Sequence, residues 1–250
     1  MSPNLLIIVA RAPVPGTTKT RLAATIGHDR ACALYRAFLA DLANRFRPSP
    51  GARVPYDLAW AFTPADADFR AILARLATGP IDAATRFVPQ GGATFNDRLT
   101  SLFRWGFLTG YQRVAIMASD SPHLPAGVAV EAFTSLATRD VTLGRVADGG
   151  YYLIGLSRFV DLFRNLPMST GDAADAVVAR AGVLGLRLGE ITPSFDVDEE
   201  RDLGTLRLAL VPDGAAAPVT WSALRRLGLV DAALTNVDFA VTSDAMAGDD

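Results

Sequence analysis

Asn4-Leu5-Leu6-Ile7-Ile8-Val9-Ala10 runs directly into Arg11-Ala12-Pro13-Val14-Pro15-Gly16-Thr17-Thr18-Lys19-Thr20-Arg21. Residues 5–10 form a short, unbroken apolar run, the pattern of a buried strand. The segment behind it carries two prolines, one glycine and three positive charges within eleven residues. Prolines stiffen it, Gly16 permits a tight turn, and the charges meet where a helix begins. A buried strand feeding a basic loop and a helix is the opening unit of an open α/β sheet, and the rest of the chain repeats the alternation. Leu34, Phe38, Leu39, Leu42 and Phe46 have helical spacing and predict a helix over 30–46. Residues 47–55, with three prolines and a glycine, read as a loop. Strands are predicted over 56–62, 85–88, 113–118, 141–146, 151–156 and 186–191, and helices over 68–76, 95–108, 128–137, 172–180 and 199–210. This order predicts a mostly parallel sheet covered by helices on both faces. No period of ~20–50 residues is visible, which excludes a solenoid. The expected organisation is one domain over 1–210 and a C-terminal extension over 211–250. That extension holds a short helix over 221–229 and a small, acidic, frayed end.

Composition narrows the functional class. The 250 residues are 50% hydrophobic and 20% charged, with a formal net charge of −2. That is ordinary for a globular domain, and it lacks the basic excess of a nucleic-acid binder. No apolar run approaches the ~20 residues that span a bilayer, and the N-terminus lacks the basic and long apolar regions of a secretory signal. One cysteine and two histidines argue against disulfides and against a cysteine- or histidine-built zinc site. These features fit a soluble cytoplasmic enzyme. Of the 24 basic residues, Lys19 is the sole lysine. In an arginine-biased chain it marks a place that needs a compact ammonium rather than a planar fork. As a loop residue it is expected to be exposed and to add little to folding.

Ligands of parallel α/β sheets bind beyond the carboxyl ends of the strands, and four polar clusters fall at such ends. The first is the basic loop, whose charges and helix start attract phosphate. It matches neither a Walker A loop nor a dinucleotide fingerprint, and a merely solvated basic loop is the competing reading. Ser119-Asp120-Ser121-Pro122 follows the strand over 113–118. There a carboxylate can hold Mg²⁺, although Asp before Ser-Pro also suits a turn or a helix cap. Asp148-Gly149-Gly150-Tyr151-Tyr152 offers close backbone approach and a carboxylate for sugar hydroxyls, or a plain hairpin turn. In Asp196-Val197-Asp198-Glu199-Glu200 the two aspartates share one side if the segment is extended, and they repel unless a cation or proton intervenes. Alternatively Asp198 caps the following helix, with Glu199 and Glu200 in its first turn.

Taken in order, these clusters resemble a bacterial family of the GT-A (nucleotide-diphospho-sugar transferase) superfamily, DUF2064, also called selenodomain- or arsenosugar-associated glycosyltransferases. The family motifs K-A-P-x-P-G-x-x-K-T-R-L, Q-x-G-x-x-L-G-E-R-M, G-x-D-S-P-x-L, D-G-G-Y-Y-L-I-G-L and D-V-D-T-x-x-D-L are matched at 11–22, 90–99, 118–124, 148–156 and 196–203. Arg11 replaces the usual lysine, Ala118 a glycine, Arg145 a proline and Met168 a tryptophan. Asn96 to Leu99 replace G-E-R-M.

The resemblance implies a nucleotide donor and a divalent cation, Mg²⁺ or Mn²⁺. It places the metal on Asp120 with Asp196 or Asp198. It assigns phosphate binding to Arg11, Gly16, Lys19, Thr20, Arg21 and Arg98. The sugar or acceptor pocket falls to Asp148, Gly149, Gly150, Tyr151 and Thr170, with Asp120, Lys19 and Asp148 as the catalytic set. The expected activity is glycosyl transfer from a nucleotide sugar to a small-molecule acceptor. The alternatives are nucleotidylyl transfer from an NTP to a phosphorylated small molecule, and a non-catalytic nucleotide-binding subunit.

Overall fold

A computed structural model describes residues 2–48, 51–52, 54–164, 166 and 171–230. In chain order the elements are β1 (Asn4–Arg11), α1 (Thr20–Ile26), α2 (His28–Arg45), β2 (Asp57–Thr63), α3 (Phe69–Leu76), β3 (Arg86–Pro89), α4 (Phe95–Leu108), β4 (Arg113–Ala118), α5 (Gly127–Ser135), β5 (Val141–Val146), β6 (Tyr151–Leu156), α6 (Ala173–Val183), β7 (Leu188–Ser194), α7 (Glu200–Leu210) and α8 (Pro218–Arg226). The strands form one sheet in the order β3-β2-β1-β4-β6-β5-β7. Ile8 of β1 stands opposite Trp60 of β2 on one side and Met117 of β4 on the other, both parallel.

The expected α/β sheet is present, with one strand reversed. β6 runs antiparallel to β4 and β5, whereas β5 and β7 are parallel. Connection length explains the difference. Only four residues join β5 to β6, which permits a hairpin alone, while the chain leaves β6 through α6 and returns as β7 alongside β5.

Alternation along the strands builds two cores. Leu6 and Ile8 face one side with α1, α2, α3, α5, α7 and α8, and Leu5 and Ile7 face the other with α4 and α6. All four are fully buried, each worth about 1.5–3 kcal/mol of apolar burial. The helix predicted at the C-terminus forms as α8, and Trp221 and Leu224 join the first core beside α2. The buried Asp41 of α2 accepts hydrogen bonds from the backbone N–H groups of Val219 (3.0 Å) and Thr220 (2.7 Å), capping α8 across the interface. The acidic end expected at 243–250 lies outside the described residues. Among the described residues no helix is long and apolar enough to cross a membrane.

Candidate active site

Because β1 to β4, β5 and β7 run the same way, their carboxyl ends share one edge of the sheet, where β6 begins. Topology therefore gathers the four polar clusters. The β1 loop is rigid. The Ala12 N–H bonds to the Thr63 carbonyl at 2.7 Å. The buried Thr18 hydroxyl donates to the Ala12 carbonyl (3.1 Å) and accepts from the Val14 N–H (3.3 Å). Arg11 reaches back to the Thr17 carbonyl at 3.1 Å. Gly16 adopts a φ of 82°, and Lys19, which precedes α1, a φ of 51°. Left-handed backbone costs a side-chain-bearing residue about 1–2 kcal/mol, so something must hold Lys19 there.

Its side chain supplies the reason. Lys19 Nζ lies 2.5 Å from Asp120 Oδ1, 2.8 Å from Asp198 Oδ1 and 2.7 Å from the Val197 carbonyl oxygen. Only 5% of the side chain is exposed, against 33% for Asp120 and 27% for Asp198. The expectation of an exposed loop lysine is thus corrected: Lys19 is a buried ionic hub. Burial alone would lower its pKa, but the charges of Asp120 and Asp198 outweigh it and raise the pKa above the ordinary lysine value.

The late acidic segment arrives by three ties. The Val197 N–H bonds to the Asp120 carbonyl (3.0 Å), the Ser121 hydroxyl to the Phe195 carbonyl (2.6 Å), and His123 to Ser194 (2.9 Å). Val197 is fully buried, leaving Asp196 and Asp198 beside Asp120. Asp198 does not cap α7. Glu199 is the N-cap, and Asp202 Oδ2 accepts from the Glu199 and Asp198 N–H groups at 2.7 and 2.9 Å. This frees the Asp198 carboxylate for Lys19 and for Arg21, 2.5 Å from its second oxygen. Burial would raise the Asp198 pKa, yet Lys19 and Arg21 bring it below the usual carboxylate value. Asp196 behaves oppositely. Burial, then the charges of Asp198, Asp148 and Asp120, push it up to about 6. Among the described residues no cation forms an ion pair with Asp196.

Two cavities open here. A cleft of about 630 Å³ is lined by all six residues expected to bind phosphate: Arg11, Gly16, Lys19, Thr20, Arg21 and Arg98. A second cavity of about 710 Å³ is lined by the buried Ile116 and Ile154 and by the carboxylates of Asp120, Asp148, Asp196 and Asp198. Gly150 and Tyr151 line it too, while Thr170 lies outside the described residues. The close approach made by Gly149 is to protein, not to an open cavity. A Cβ there would sit 1.6 Å from the Gly171 carbonyl oxygen, and its φ is 88°. Asp148 takes part in the turn as well, accepting from the Gly150 N–H at 2.9 Å.

Whether a divalent cation suits this site turns on charge and donors. Among the described residues no three Asp, Glu, His or Cys side chains form a metal cage by themselves. Mg²⁺ does not need one, since it is held by one or two carboxylates together with substrate phosphates and water. Asp120, Asp148, Asp196 and Asp198 face two cations, Lys19 and Arg21, leaving a surplus of two negative charges. Arg201, at the rim, pairs with Glu199 and Asp202 instead. A divalent ion matches that surplus, so the donor set fits.

Residues 53–170 match the family described as an uncharacterized protein conserved in bacteria (DUF2064). A solved structure from Desulfovibrio desulfuricans G20, provisionally named a nucleotide-diphospho-sugar transferase, is 28% identical to this chain. It superposes with a TM-score of 0.80, covering 92% of this chain and 96% of that one. A 4-diphosphocytidyl-2C-methyl-D-erythritol synthase from Anaerococcus prevotii DSM 20548 is 9% identical. Its TM-score is 0.50, covering 80% of this chain and 92% of that one. No curated protein matches. The chain thus has a fold of the nucleotide-diphospho-sugar transferase (GT-A) kind.

Several contributors to this site escaped the sequence reading. The Tyr35 hydroxyl lies 2.7 Å from Ser119 Oγ and accepts from the Arg11 N–H at 3.2 Å, pinning α2 to the ends of β1 and β4. Gln90 donates to the Ala10 (3.2 Å) and Ala61 (2.8 Å) carbonyls. Motif position could have flagged Gln90, whereas Tyr35 reads as one more apolar position of a helix. His123 stacks on Phe195 with ring centroids 3.8 Å apart. Burial, then the nearby Arg45 charge, lower its pKa to about 4. A histidine whose native pKa is depressed opposes protonation, so its contribution is complete above the unfolded value of ~6.5 and is lost as pH falls toward 4. Replacing His123 by phenylalanine keeps the stack without the titration. The fall in Tm between pH 7 and pH 4.5 should then be smaller in His123→Phe than in the parent, on the order of 5 °C smaller. Parallel curves in thermal scans would show that His123 is not buried neutral.

Proposed function

We propose that this chain is a cytoplasmic, divalent-metal-dependent glycosyltransferase that moves a sugar from a nucleotide donor to a small-molecule acceptor. The observation that carries this reading is the pairing of a cationic cleft with a second, mixed apolar and acidic cavity, the two sharing Asp120 and Asp198. Arg11, Arg21 and Arg98 give the cleft the charge a nucleoside diphosphate requires, on a loop that Gly16 and Thr20 help shape. Asp120 and Asp196 would hold Mg²⁺ or Mn²⁺. Asp198, already bonded to Lys19 and Arg21 through both oxygens, would position those cations instead. When bound, the metal supplies Lewis-acid stabilisation of charge on the departing diphosphate. Lys19 keeps Asp120 and Asp198 in place and adds fixed positive charge beside the phosphates. Asp148 and Tyr151 face the acceptor, where the carboxylate can accept a hydrogen bond from its hydroxyl. The provisional name of the Desulfovibrio desulfuricans protein agrees in kind.

Nucleotidylyl transfer from an NTP to a phosphorylated acceptor is the competing chemistry. The leaving group separates the two chemistries. Incubation with Mg²⁺, a panel of nucleotide sugars and a mixture of small alcohols and amines should release nucleoside diphosphate. Release of pyrophosphate from an NTP, with no turnover of any nucleotide sugar, would contradict the proposal.

A further inference from the structure

The geometry points to Phe95 as the residue that receives the apolar face of the transferred sugar, and so sets which sugar is accepted. This rests on the glycosyltransferase reading above and deepens it. The first observation is the wall common to both cavities, made of Val9, Arg21, Phe95, Asp120 and Asp198. In sugar transfer the bond from the sugar to the diphosphate breaks, the diphosphate leaves with the nucleoside, and the new bond to the sugar comes from the acceptor. The sugar is the only fragment that must touch both spaces. It therefore lies against the shared wall. Arg21, Asp120 and Asp198 are charged and already ion-paired. Val9 and Phe95 are the apolar members, and only Phe95 offers a broad flat surface.

The second observation is its exposure. Phe95 keeps 44% of its surface open, whereas Phe38, Phe46, Phe69, Phe103, Phe133 and Phe163 are essentially buried. Its placement is not loose. Phe95 is the first residue of α4, where a reciprocal cap fixes the helix start. Thr94 N–H bonds to Asp97 Oδ2 at 2.9 Å, and Asp97 N–H to Thr94 Oγ1 at 3.2 Å. The preceding turn packs tightly on the same helix, since a Cβ at Gly92 would come within 2.7 Å of the Arg98 nitrogen. An aromatic ring on a capped helix start, left open where the two cavities meet, suits the C–H face of a pyranose. Such a face is the one apolar surface a sugar has, and aromatic rings bury large area at low entropic cost.

The test compares two ligands on one protein. Calorimetry with Mg²⁺ is run on parent, Phe95→Ala and Phe95→Tyr. The probes are UDP, GDP, ADP and CDP, followed by the glucose conjugate of the tightest binder. Phe95→Ala should bind the nucleoside diphosphate within about twofold of the parent. It should bind the nucleotide sugar about tenfold more weakly, a loss of the size of an aromatic contact. Phe95→Tyr should restore the sugar-dependent part. Equal losses for both ligands would place the ring under the base or ribose and overturn the inference, as would unchanged affinity for both. If the parent binds none of the diphosphates, the glycosyltransferase reading fails and this inference falls with it. A circular dichroism spectrum matching the parent confirms that Phe95→Ala is folded.

Discussion

Lys19→Ala is expected to lower the melting temperature by about 8 °C in the absence of any ligand. The change removes an ammonium from between Asp120 and Asp198 and leaves two carboxylates facing each other. Breaking a buried ion pair from one side costs about 3–5 kcal/mol. The carboxylates here are a quarter to a third exposed, so water recovers part of that, and about 3 kcal/mol is the expected loss. For a domain of this size each kcal/mol moves Tm by about 2–4 °C. The raised pKa of Lys19 means its contribution is complete below the ordinary lysine value of 10.5 and is lost only as pH climbs through the higher native value. Lys19→Arg should fold with a smaller loss, yet bind donor at least about tenfold more weakly. The broader guanidinium cannot keep three oxygens, those of Asp120, Asp198 and Val197, at contact distance as an ammonium does. Differential scanning calorimetry decides the first point. A Tm within a degree of the parent would mean that Lys19 is the solvated loop residue its sequence position suggested.

Asp120 should be the most sensitive position for chemistry. It stands where the two cavities meet, and its Oδ1 lies on Lys19. Replacement by asparagine keeps its shape and a partial bond to Lys19, so Asp120→Asn should remain folded. Loss of a charge-stabilising group in such a site costs about 10²–10³ in turnover. We expect that loss in kcat for Asp120→Asn on the donor and acceptor found by the leaving-group assay. The loss should persist at saturating Mg²⁺ if the carboxylate also orders Lys19, and recede at high Mg²⁺ if weakened metal binding is its only cause. Turnover equal to the parent would remove Asp120 from the machinery.

The legibility of this chain follows the range over which each signal acts. Long or strongly patterned segments reproduce the sequence reading: α4, β4, β5 and β6 begin and end where periodicity and turn residues place them. α1 starts at Thr20, where the charged loop leads into a helix, but its seven residues are too few for a helical period to give its span. β7 sits two to three residues later than predicted, since its partner β5 rather than its own apolar run sets its span. That the polar clusters share an edge follows from parallel strands, which sequence alternation reveals. The pairings within the edge do not. Lys19 and Asp198 are 179 residues apart, and nothing local marks the lysine as buried. Gly149 is likewise required by Gly171, a distant backbone neighbour rather than a ligand. A capping residue at Glu199 rather than Asp198 is a one-position difference with a functional consequence, because it frees the carboxylate that Lys19 and Arg21 use.

The central claim is that this edge binds a nucleotide through a divalent cation. Titration calorimetry with UDP, GDP, ADP and CDP, each with Mg²⁺ and again with EDTA, tests it most directly when the parent and Asp120→Asn are measured side by side. At least one nucleoside diphosphate is expected to bind the parent with Mg²⁺, EDTA to weaken it by tenfold or more, about 1.4 kcal/mol, and Asp120→Asn with Mg²⁺ to resemble the parent with EDTA. Binding by the parent that is indifferent to EDTA and to Asp120→Asn, or no binding of any of the four, would contradict it.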